Sequence, residues 1–191
     1  MRRPITIYQL AGFLFTGIVG TFLHFLFDLS GESILVSLFS AVNESIWEHI
    51  KLLFYPMLLF SVAEFRAWGR DRPDFWQIKL LGTLFGMALI PAIYYTYTGS
   101  LGVSADWFNI TIFFIAAGSV YWLETVLFQK NALWALSSAW AIAGLVLLCI
   151  LFSLLTFFPP HIPLFRDPVT GRYGYHLFQA ERVKLWFSHI G

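Results

Sequence analysis

Long apolar stretches alternate with short polar ones along most of the chain. Apolar runs at about 7–27, 78–97, 107–128 and 133–158 approach the roughly 20 residues a helix needs to cross a bilayer. Turn-forming residues separate them: Asp28-Leu29-Ser30-Gly31 closes the first, Lys130-Asn131 divides the last two, and Pro159-Pro160 ends the series. Residues 52–63 are also cleanly apolar but too short to cross alone. A crossing there must begin near Glu44 and end near Glu64, which draws Glu44, Glu48, His49 and Lys51 into the span. The pattern therefore predicts an all-α, polytopic helical membrane protein with about five transmembrane helices, at 7–27, 44–64, 78–97, 107–128 and 133–158. Residues 33–42 are apolar but short, either re-entrant or a helix at the interface. Pro91 predicts a kink in the third span.

Residues 1–158 thus form a bundle, and 159–191 an extracytoplasmic tail. Residues 161–175 are rich in Pro, Gly and Asp and predict an ordered loop with turns at Asp167-Pro168 and Thr170-Gly171. Beyond it, Val183, Trp186, Phe187 and Ile190 follow helical spacing, with Glu181, Arg182 and Lys184 beside them. That pattern predicts a helix lying on the membrane surface.

Composition agrees with the pattern. Of 191 residues, 58% are hydrophobic and 12% charged, where soluble domains carry roughly 25% charged. Met1-Arg2-Arg3 before an apolar stretch imitates a signal peptide, but the run is too long and lacks an Ala-x-Ala site, so a retained first span is expected. Positive charge at Arg2, Arg3, the 66–79 loop and Lys130 orients five spans with the amino terminus cytoplasmic. The 28–43 connection, the 99–106 turn and the tail then face outward, although Arg166, Arg172, Arg182 and Lys184 in the tail run against that rule. The expected partner is the lipid bilayer. With net charge +1 and no basic block, no nucleic acid is expected. Oligomeric state is left open. Cys149 is the only cysteine, which rules out an intrachain disulfide or thiolate metal cluster.

The ionisable residues concentrate at the outer ends of the spans. His24 and Asp28 are one i, i+4 pair, and Glu44 and Glu48 another if both lie on the second helix. His161 follows the fifth span, and His49, Asp106 and Asp167 fall on the same side. Imidazoles and carboxylates together suit a divalent metal such as zinc, with one position left for water. His24, Asp28, Glu48 and His161 are the expected metal ligands or their orienters, and Glu44 and His49 the expected acid–base groups. The competing reading is structural: Asn43 as N-cap, Glu44 in the first turn, Glu48 ion-paired with Lys51, and Asp28 in a turn. Glu64 and Glu124, near the cytoplasmic ends, are expected to pair with Arg66, Lys79 or Lys130. Tyr94, Tyr95, Tyr97 and Trp107, and at the other side Trp68, Trp76 and Trp134, are expected as aromatic belts. Gly82 and Gly86 have GxxxG spacing and predict close helix packing.

Three segments carry a family likeness: His24–Gly31, Asn43–Lys51, and Pro159–Phe165 with Asp167-Pro168 and Tyr173-Gly174. Together they resemble an uncharacterised family of small bacterial polytopic membrane proteins, a domain of unknown function. The resemblance implies an integral membrane protein and supplies no activity. The His/Asp arrangement is also similar to that of membrane hydrolases of the alkaline ceramidase type, but their seven spans and His-x-x-x-His are missing, so no residue is carried over. The leading expectation is a polar, metal-binding site at the outer face that hydrolyses a lipid or amphipathic substrate. The alternatives are an ion- or proton-coupled transporter of a small solute, and a structural membrane protein without chemistry.

Overall fold

The computed structural model describes residues 2–130 and 137–175. Its architecture is all-α, as the hydrophobic pattern predicts. The helices are α1 (Arg2–Leu29), α2 (Ile46–Ala67), α3 (Phe75–Leu101), α4 (Asp106–Gln129) and α5 (Ser138–Phe157). Each is long and apolar enough to cross a membrane. The expected start of the fifth span at 133, Trp134, and the surface helix at Val183–Ile190 lie outside the described residues.

Local chemistry sets the helix ends. Ser45, not Asn43, caps α2: its hydroxyl accepts the Glu48 N–H, satisfying an otherwise unpaired donor of the first turn. The Asn43 carboxamide instead accepts the Ser45 N–H at 2.9 Å. Gly102 ends α3 in the left-handed conformation, φ 70°, with its N–H on the Thr98 carbonyl.

Helix α1 packs on α2 and α4, and α3 packs on α2, α4 and α5. The short apolar run of the second span now has a physical reason. Helix α2 buries 56% of its apolar window inside the bundle, against 22–33% for the other four. Glu48, Lys51 and Glu64 near its ends therefore meet protein rather than lipid. Gly82 and Gly86 do lie at a close approach: a Cβ on Gly86 would come 2.6 Å from Val120 and 2.8 Å from Leu53. The outer surface is apolar, with Ile18, Trp107, Trp122, Trp140 and Ile150 exposed. Trp68 and Trp76 are half-buried. They pack with Phe65, Phe75 and Phe128 at one end of the bundle.

Contacts of α1 with α4 run antiparallel, from Gly20 beside Phe113 to Thr16 on Tyr121. The 30–45 connection and the 158–175 tail therefore share one end of the bundle, and the 68–74 connection occupies the other. At the shared end, Ser37, Ser40, Ala41 and Val42 are buried, and the Ser40 hydroxyl donates to the Leu23 carbonyl. The tail folds back over this connection. The Tyr175 N–H donates to Thr156 O at 2.8 Å, its hydroxyl donates to Glu32 O, and the Asn43 amide donates to Gly174 O. Gly174 is required there: its φ is 55°, and a Cβ would fall 2.3 Å from Thr156 O. Upstream, Phe165 stacks on Trp47, which stacks on Phe152. The predicted turns form, with Asp167 Oδ1 accepting the Val169 N–H and Oδ2 the Thr170 hydroxyl.

Candidate functional site

Among the described residues, two polar clusters occupy the shared end, and between them they hold His24, Glu44, Glu48 and His49. The first is buried. Glu48 and Lys51 are 1% and 0% exposed and form an ion pair. Glu48 also accepts the Val42 N–H at 3.1 Å and faces the Thr156 hydroxyl at 3.0 Å. Lys51 donates to the Ser37 carbonyl and to Thr156, both at 2.9 Å. The pair thus binds the 37–42 backbone to α2 and α5. The structural reading of Glu48 with Lys51 is the one the geometry displays.

The second cluster is His24, Glu44 and His49, and it is open. Their side chains are 30%, 48% and 31% exposed. Each offers a ligand atom, and these atoms lie within 4.8 Å of one another. Glu44 Oε2 is 3.5 Å from His49 Nε2 and 4.0 Å from His24 Nε2. The imidazoles meet edge to face at 5.2 Å, and His24 stacks on Phe25.

Three elements build this group. His24 sits in the last turns of α1 and His49 in the first turn of α2. Glu44 lies just before the Ser45 cap, held between Asn43, anchored to the tail, and Ser45, anchored to the helix. The His49 Nδ1 is 2.9 Å from the Ser45 carbonyl. A carbonyl only accepts, so Nδ1 carries the hydrogen and Nε2 of a neutral ring presents its lone pair to Glu44. A lone pair facing a carboxylate repels it unless a proton or a cation lies between. Two nitrogens and one oxygen around a common point can hold a divalent metal.

The remaining candidates stand apart from this group. Asp28 is exposed at the end of α1, its carbonyl accepting the Gly31 N–H. Glu48 is taken up by Lys51 and Thr156. His161 is exposed and stacks on Tyr173 at 4.6 Å. The expected shared face of Glu44 and Glu48 does not form, because Glu44 precedes the helix. Tyr55, expected to continue that face, packs among Phe39, Phe54 and Phe152. Asp106 begins α4, and Asp167 is buried in its turn.

At the opposite end, Lys79 pairs with both Glu64 and Glu124, and all three are buried. The expected pairing with Lys79 is found, although Lys79 belongs to α3 and not to a hydrophilic loop. Gln9 donates to Glu64 at 2.9 Å. Its only sequence signal is a carboxamide within an apolar run.

Five apolar helices around buried ion pairs define a multi-pass α-helical membrane protein. Residues 5–175 match the model of a family of unknown function, DUF6512, and the chain belongs to that family. Comparison with curated proteins and with solved structures finds no match.

Proposed function

We propose that His24, Glu44 and His49 bind a divalent cation, zinc by its ligand preference, and that the site hydrolyses a lipid or another amphipathic substrate at the membrane surface. The hydrogen bond from His49 Nδ1 to Ser45 O carries this reading. Metal-binding histidines commonly donate their second ring nitrogen to a carbonyl or carboxylate, which fixes the tautomer and aims the free nitrogen. Two histidines and one glutamate, with a fourth position open, form a known catalytic zinc set. Tetrahedral bonds of ~2.0 Å put ligand atoms about 3.3 Å apart. Two of the three separations, 3.5 and 4.0 Å, lie close to that value, and the third, between the imidazoles, is within 4.8 Å, so side-chain adjustment closes the set. Such a cation supplies an activated water near neutral pH. Glu44 and His49 then serve as ligands rather than as acid–base groups.

The substrate class follows from the surroundings. Phe25, Leu29, Ile34 and Leu35 are exposed beside the site's connection. An amphipathic molecule there places its polar bond at the ligands and its chain along these residues. By the charge argument, this end faces outward. A transport reading needs an aqueous route from this end to Glu64 and Glu124. On α2, the buried apolar Leu53, Phe54 and Met57 lie in that interval and favour the surface site.

The test is turnover of a membrane lipid extract by the purified full chain, followed by lipid mass spectrometry. Metal-dependent loss of one lipid class is expected for wild type, abolished by chelator and by Glu44→Gln. Identical lipid profiles for wild type and Glu44→Gln under metal-loaded conditions would refute the hydrolase.

A further inference from the structure

The cluster at the opposite end has an imbalance of charge. Glu64 and Glu124 are fully buried, Lys79 nearly so, and this one ammonium lies against both carboxyl groups. If both acids were ionised, the group would carry a net negative charge among four apolar helices. An unbalanced buried charge costs several kcal/mol at least, and close carboxylates sharing a site do not both ionise readily.

Among the residues whose side chains the structure describes, no other charge offsets it. Arg72 is committed to Asp74 through two hydrogen bonds and to Phe128 O. Arg66, Arg70 and Lys130 are exposed. The Tyr121 hydroxyl, on the same helix as Glu124, is occupied with Thr16 at 2.8 Å. From α1, Gln9 contributes only a neutral carboxamide.

Gln9 also shows what is missing. It is 2% exposed and donates its amide to Glu64 while lying beside Glu124. Its own carbonyl oxygen has no partner, and neither has Glu124 Oε1. A cluster with unpartnered acceptors and one positive charge too few lacks a hydrogen. A metal ion would need several oxygens around an open centre, yet the Lys79 ammonium lies against both carboxyl groups. Gly82 also closes the side at Glu124 Oε1, where a Cβ would come within 2.7 Å.

We infer that the Glu64–Lys79–Glu124–Gln9 cluster is a proton-binding site that holds one proton on its carboxyl pair at neutral pH. Lys79 neutralises one carboxylate. The second is a carboxylic acid, whose O–H donates to an acceptor of the cluster. The cluster is thereby neutral, as its burial demands.

Infrared spectroscopy of the full chain in detergent at neutral pH tests this. Wild type should show a protonated-carboxyl C=O band that shifts in D2O. That band should be lost in Glu64→Gln or Glu124→Gln. If neither variant folds, glutamate-selective carbon-13 labelling of wild type must shift the band. Absence of the band in wild type overturns the inference, as does a band that survives both substitutions or ignores the label. Sodium-specific thermal stabilisation of a protein without the band would show a bound cation in place of the proton, and also overturns it.

Discussion

His49 Nδ1 lies 2.9 Å from the carbonyl oxygen of Ser45, the residue that caps its own helix. One residue thus starts α2 and sets the tautomer of the imidazole in its first turn. Because Glu44 immediately precedes that cap, the same turn delivers carboxylate and imidazole to one point. Ser45→Ala removes the cap and should cost about 0.5–2 kcal/mol of stability. The frayed turn should also weaken metal binding; thermal unfolding reads the first effect and calorimetric titration of stripped protein the second.

The buried ion pair is expected to hold that geometry from below. Glu48→Gln leaves Lys51 without its counter-charge and should destabilise the fold by about 3–5 kcal/mol. The double variant Glu48→Gln with Lys51→Met should lose less than the sum of the singles, since each single strands a charge. Denaturant titration in micelles gives the comparison, and strict additivity would contradict the pairing.

Helix packing gives a third expectation. Gly82→Ala places a methyl 2.7 Å from Glu124 Oε1 and 3.1 Å from Val120. Overpacking of this kind costs about 1–3 kcal/mol. Thermal unfolding should show it, while Gly99→Ala, at a site open to solvent or lipid, should leave the packing unchanged.

Asn43 ties the connection to the tail through Gly174. Asn43→Ala should raise hydrogen exchange at the Tyr175 amide, which rests on Thr156, and should loosen Glu44. A drop in metal affinity without loss of helix content, read by titration and circular dichroism, is the expected result.

The spans were legible because a bilayer demands long apolar helices, and no other pattern in the chain competes with that signal. The ion pair of Glu48 with Lys51 was legible too, as an i, i+3 spacing within one helix. The membership of the open group was not. Placing Glu44 on the same helix face as Glu48 assumed that α2 begins at Asn43. Its beginning at Ser45 frees Glu44 to turn towards His24 and His49, and gives Glu48 to Lys51. Convergence of His24 with His49 depends on how α1 packs against α2, which neither helix's own periodicity reveals. In the sequence Lys79 reads as the end of a loop, because a lysine counts as polar. Two buried glutamates on neighbouring helices are what make its burial tolerable.

Zinc titration of chelator-stripped full chain tests the open site most directly. Wild type should bind one equivalent, and His24→Ala with His49→Ala should bind none. Asp28→Ala and His161→Ala should bind as wild type does, and acid should release the metal because both imidazoles must be neutral to ligate. A wild type that takes up no zinc, or a double variant that still binds a full equivalent, would contradict the assignment.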